Sequence, residues 1–75
     1  MELNDSFANA LKKLRSDKGL SQEELAFKAN LHRTYISQLE RGLKSPTLNT
    51  LYILAHVLGV SLAEFINLIE KDVRK

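Results

Sequence analysis

The chain of 75 residues has no cysteine, no tryptophan, one proline and three glycines. Without cysteine it can form neither a disulfide framework nor a thiolate metal site. So little proline and glycine argues against disorder and against a loop-rich fold. Its longest apolar stretches fall far short of a membrane span, and the amino terminus lacks a basic-then-apolar signal region, so a cytoplasmic location is expected. Catalytic groupings are missing as well. His32 and His56 stand 24 residues apart with no acidic cluster beside them. There is no glycine-rich phosphate loop, metal-ligand spacing or nucleophile constellation. No enzyme activity, cofactor, metal or small-molecule ligand is expected. A length of 75 residues leaves room for one domain (1–75) with one modest core, and none for a ligand-sensing module.

What is present is helical patterning. Phe7, Ala10, Leu11 and Leu14 recur on one stripe, which predicts a first helix from about Asp5 or Ser6 to Lys18, with either residue able to cap it and Gly19 ending it. Ser21-Gln22-Glu23-Glu24 is a capping box that opens a second helix ending near Ala29. A third runs roughly from Arg33 to Glu40, with His32 or a neighbouring backbone group as its cap, and closes at Gly42. After the loop Leu43-Lys44-Ser45-Pro46, Thr47 is placed to cap a fourth helix through Leu48, Leu51, Tyr52, Leu54, Ala55 and Leu58. Ser61-Leu62-Ala63-Glu64 is a second capping box and starts a fifth helix over about 61–73. No stretch alternates as a strand would. The expected fold class is all-α, a compact five-helix domain.

The segment from Gln22 to Arg41 organises the rest. Leu25, Ala26 and Ala29 fall on one face of helix two, and Ile36 and Leu39 on one face of helix three. Between them Asn30 suits a sharp corner because it tolerates left-handed backbone, and Ala26 is small enough to let the two helices approach. Small residue, turn residue and aliphatics at these offsets make a helix-turn-helix. Its second helix carries Arg33, Thr34, Ser37, Gln38 and Arg41 outward, all able to hydrogen-bond to nucleic acid. The net charge of +2, with a pI near 9.1, says little alone. Its distribution says more: Arg33, Arg41 and Lys44 gather in or beside helix three while most carboxylates lie elsewhere.

LRSDKGLSQEELAFKANLHRTYISQLERG, followed by SPTLNTLYILAHVLGVSLAEF, resembles the phage-repressor class of helix-turn-helix domains, of the Cro and C1 type, over about residues 7 to 69. The segment HRTYISQLERG resembles the controller proteins of restriction-modification systems. The resemblance implies a lambda-repressor-like fold, double-stranded DNA as partner and the major groove as the site read. It implies that Gln22 meets a backbone phosphate, that Tyr35 lies against the DNA backbone, and that Arg15 and Glu40 tie helix one to the recognition helix. Arg33, Thr34, Ser37 and Gln38 fall where relatives reach base edges or adjacent phosphates. Arg can take guanine as a bidentate pair and Gln adenine, so Arg33 and Gln38 are the foremost base readers. Thr34 can meet a thymine methyl or a phosphate. Arg41 and Lys44 join Gln22 and Tyr35 as phosphate contacts, which set register without reading sequence. Asn30 departs from the glycine that many relatives carry.

Helix five has more apolar surface than one small core needs. Leu62, Phe65, Ile66 and Ile69 form a stripe expected to seat a second copy of the chain, with purely intramolecular packing as the alternative. Two copies would read half-sites about one helical turn apart. RNA polymerase is a further partner if the protein activates, through Glu23 and Glu24, although the capping box alone accounts for those acids. The function implied is a homodimeric regulator of a palindromic operator that controls restriction-modification genes, its own included. The alternatives are a generic phage-type repressor and an antitoxin that covers a toxin. An architectural DNA binder would carry more positive charge or a minor-groove wedge.

Overall fold

The computed structural model describes residues 2–75. Five helices follow one another: α1 (Leu3–Asp17), α2 (Gln22–Ala29), α3 (Arg33–Glu40), α4 (Leu48–Val57) and α5 (Leu62–Val73). The described residues contain no strand. α1 packs on α3 and α5, α2 on α3 and α4, and α4 on α5. Leu11, Leu25, Ile36, Leu39, Leu54, Leu58 and Phe65 are fully buried where these faces meet. Each such side chain contributes about 1.5–3 kcal/mol by leaving water. Phe7 of α1 and Phe65 of α5 stack with ring centroids 5.7 Å apart.

The helix ends are set locally. Ser21 accepts from the Glu24 amide at 3.0 Å while Glu24 accepts from the Ser21 amide at 2.9 Å. Ser61 and Glu64 repeat both bonds at the start of α5, and Thr47 accepts from the Thr50 amide at 3.1 Å. At the other ends of α1 to α4 the same closure recurs. An amide two or three residues beyond the helix bonds back five positions, as Leu20 does to Arg15, Leu31 to Ala26, Leu43 to Gln38 and Val60 to Ala55. This motif needs a left-handed residue just before that amide, followed by an apolar one that packs back.

α1 begins earlier than its apolar stripe predicts. Glu2 occupies the cap position with extended backbone and makes no side-chain cap bond. Asp5 sits in the first turn, where a carboxylate favours the helix amino end. Ser6 is no cap either: it is fully buried. Its hydroxyl meets no partner at full hydrogen-bond geometry. Ser6 first, and then Asn9, nevertheless hold the Asp72 carboxylate of α5 below its ordinary value. The Asn9 amide donates to Asp72 at 3.2 Å.

The stripe on α5 is divided between two uses. Phe65 is completely buried and Ile69 is 6% exposed, both within the protomer's own core. Both therefore contribute to the alternative expected for this stripe, packing inside the protomer. Leu62 is half-buried against the same core, and Ile66 remains 44% exposed. No single helix among the described residues is long and apolar enough to cross a membrane.

Candidate nucleic-acid interface

The break between α2 and α3 is built on Asn30, at φ 57° and ψ 44°, the one non-glycine residue with positive φ among those described. Its amide donates to the Phe27 carbonyl at 3.2 Å and the Leu31 amide to Ala26 at 2.9 Å. Ala26 is buried beneath the turn. His32 occupies the cap position before α3, with extended backbone and no side-chain cap bond. Ile36 and Leu39 are both completely buried and hold α3 against α1 and α2.

With those two inward, the opposite face of α3 is turned out. Gln22, Arg33, Thr34, Ser37, Gln38 and Arg41 line one concavity. All four expected base readers are in it, with two of the four expected phosphate contacts. From Arg33 to Arg41 the helix rises roughly 12 Å, the length of three to four base-pair steps. Arg33, Thr34 and Arg41 are exposed, and Ser37 and Gln38 half-exposed. Tyr35 and Lys44 lie outside the concavity. Tyr35 is half-buried and packs against the core. Lys44 is exposed on the loop after α3, next to Ser45, whose hydroxyl donates to Asn4 Oδ1 at 2.7 Å.

Behind this face lies an ionic network. Glu40, at the end of α3, is 4% exposed. Arg15 Nε donates to its Oε2 at 2.6 Å and Nη2 to its Oε1 at 2.9 Å, a bidentate pair. A third guanidinium nitrogen, Nη1, donates to the Leu20 carbonyl at 2.8 Å. The Arg15 pKa is raised, chiefly by the hydrogen bonds to Glu40. One guanidinium thus joins α1, the loop before α2 and the recognition helix. Gln22 completes the set: its Nε2 donates to Glu40 Oε1 at 3.0 Å. Sequence reasoning placed Gln22 at a phosphate and missed this bond. No periodicity within one helix relates residues 22 and 40, so only the packing of α2 on α3 discloses it. His56 is exposed on α4, and no three His, Asp or Glu side chains among the described residues converge on a metal position.

A tight turn, a buried brace and a row of hydrogen-bond donors on one outward helix define a helix-turn-helix domain that reads DNA. The chain belongs to the helix-turn-helix family, whose model matches residues 11–65. It is 43% identical over 67 residues to the control protein C.MunI of Mycoplasma sp, a match covering 88% of this chain and 90% of that one. An uncharacterised helix-turn-helix transcriptional regulator, y4dJ of Sinorhizobium fredii, is 41% identical over 66 residues, covering 88% and 86%. Among solved structures, the wild-type restriction-modification controller protein C.Esp1396I superposes with a TM-score of 0.90 at 37% identity, over 100% of this chain and 99% of that one. The chain is accordingly a helix-turn-helix transcription regulator and not an enzyme.

Proposed function

We propose that this protein is a homodimeric controller of a restriction-modification system, which binds a palindromic operator and regulates its own gene together with that of the endonuclease. The observation that carries the reading is the concavity on α3, where Arg33, Thr34, Ser37 and Gln38 stand together with Gln22 and Arg41. Arg33 and Gln38 read base edges. Thr34 and Ser37 reach bases or adjacent phosphates. Gln22, Tyr35, Arg41 and Lys44 hold the backbone. Support for the regulatory role comes from relatives described as control proteins. C.Esp1396I itself has been crystallised as a tetramer in complex with its natural 35 base-pair operator.

The dimer forms through the exposed edge of the stripe Leu62, Phe65, Ile66 and Ile69, extended by neighbouring apolar side chains. Of those four, Ile66 alone is well exposed. It borders an apolar groove of about 330 Å³ with Leu3, Phe7, Pro46, Leu51 and Ile69. Leu48 and Tyr52, one turn apart on α4, are 71% and 60% exposed. This is the apolar area that a second copy covers. RNA polymerase is not needed to explain Glu23 and Glu24, since Glu24 is engaged in its cap.

Binding to a labelled fragment from just upstream of the protein's own gene, at moderate salt with excess unrelated DNA, tests the reading. Retention against competitor, abolished by Arg33→Ala with Gln38→Ala while salt-sensitive non-specific binding persists, is the expected result. Each bidentate base contact is worth about 1–3 kcal/mol of discrimination. Equal displacement by competitor would reduce the site to backbone contact and reject sequence-specific control.

A further inference from the structure

We infer that Glu40 is a positioning residue for the DNA backbone, acting through Gln22: the buried carboxylate turns the Gln22 amide so that one N–H is bound inside the protein and the other is presented to a phosphate oxygen. The inference rests on the DNA-binding reading above and assigns Glu40 a task beyond bracing α3. A carboxylate is acceptor-only, whereas a glutamine amide has a donor end and an acceptor end. Facing Glu40 Oε1 at 3.0 Å, Gln22 must therefore offer its NH2 group. The bond cannot be satisfied by the flipped amide, whose oxygen would face the carboxylate. Glu40 is itself fixed by the bidentate guanidinium of Arg15, so the orientation is passed from a rigid ion pair to a half-exposed side chain.

Gln22 stands where that orientation is useful. It is the first residue of α2, whose free amides and positive end favour an anion. It also lines the concavity formed by Arg33, Thr34, Ser37, Gln38 and Arg41. A primary amide has two N–H groups about 120° apart. With one committed to Glu40, the second remains on the open side, and no bond within the protein occupies it. An unrestrained glutamine would lose rotamer freedom on meeting a phosphate. Here Glu40 has already removed it.

The test uses operator duplexes carrying a single methylphosphonate, which removes one phosphate charge and acceptor at a time. Wild-type protein is expected to lose roughly tenfold in affinity at one position per half-site, as expected for a hydrogen bond to a charged group. Gln22→Leu, which removes the amide, and Arg15→Met with Glu40→Leu, which removes its acceptor, should each weaken binding to the unmodified duplex and become insensitive at that same position, while remaining sensitive at the others. Gln22→Leu leaves the Arg15–Glu40 pair intact and should melt near wild type. A brace without a positioning role would weaken binding evenly and leave every sensitive position in place, which overturns the inference. Should the Arg15→Met, Glu40→Leu variant fail to fold, the wild-type protein still decides. Its two Gln22 Nε2 protons are inequivalent in any case, because the amide C–N bond has partial double-bond character; followed by NMR, the one bound to Glu40 should hold its shift while the other moves on titration with DNA. Movement of both protons, or of neither, rejects the proposal. If wild-type protein does not retain the duplex against competitor, it is the DNA-binding reading that fails.

Discussion

Replacing Glu40 by alanine removes three acceptor contacts at once, two from Arg15 and one from Gln22. The carboxylate side chain is 3% exposed and its guanidinium partner 20% exposed. Taking one member from a buried pair costs about 3–5 kcal/mol, because the other charge is left without compensation. Arg15 keeps some water, so the lower end of that range applies, about 3 kcal/mol. A domain of this size has a total stability of about 4–11 kcal/mol, so the variant should still fold, with little margin. At roughly 4–8 °C for each kcal/mol, the melting temperature should fall by roughly 12–24 °C. Circular dichroism melts measure that loss, and operator retention at a temperature well below the new midpoint measures the displacement of α3 separately. An apolar double replacement, Arg15→Met with Glu40→Leu, should recover much of the melting temperature, since the desolvation of two charges is also removed. It should not recover operator affinity, because α3 loses its tie to Gln22. A Glu40→Ala protein that melts within about 2 °C of wild type, less than 1 kcal/mol, and keeps full affinity would refute this account of the brace.

Three further outcomes follow from the geometry. Gly42 has φ +72°, and a Cβ there would lie 2.5 Å from Asp5 Oδ1. Gly42→Ala should therefore destabilise by at least the 1–2 kcal/mol of a left-handed non-glycine residue, whereas Asn30→Gly should be tolerated and Asn30→Val should lower the melting temperature. The caps should show in acid. The hydrogen bonds with Ser21 and Ser61 lower the Glu24 and Glu64 pKa values from 4.5. A folded-state value below the unfolded one stabilises above the unfolded pKa and is lost as pH falls through the folded one. Ser21→Ala and Ser61→Ala should accordingly melt below wild type at pH 7, with a difference that shrinks toward pH 3. Tyr52→Asp or Ile66→Asp should shift sedimentation from dimer toward monomer without unfolding the protomer, because both side chains are exposed in it; an unchanged dimer would move the seam elsewhere.

How far the sequence alone reached depended on the range of each interaction. The ends of α2 to α5 were legible because a cap spans three residues and a left-handed closure five, so Ser21-Glu24, Ser61-Glu64, Thr47 and Asn30 carry their structure with them. The outward row on α3 was legible too, since burying Ile36 and Leu39 leaves Arg33, Thr34, Ser37, Gln38 and Arg41 facing out. Where α1 begins was not, because Ser6 reads as a cap until α5 covers it. Nor could spacing on α5 tell a seam from a core. Phe65 and Ile69 share their stripe with Ile66, and only the arrival of α1, with Phe7 against Phe65, settles which of them is used up inside the protomer. The direction of the Gln22 amide belongs to the same class. It depends on a carboxylate 18 residues away, placed by the way α3 packs and held by a guanidinium from α1. Periodicity assigns a side chain to a face of its own helix, whereas what meets that face is decided when the helices pack.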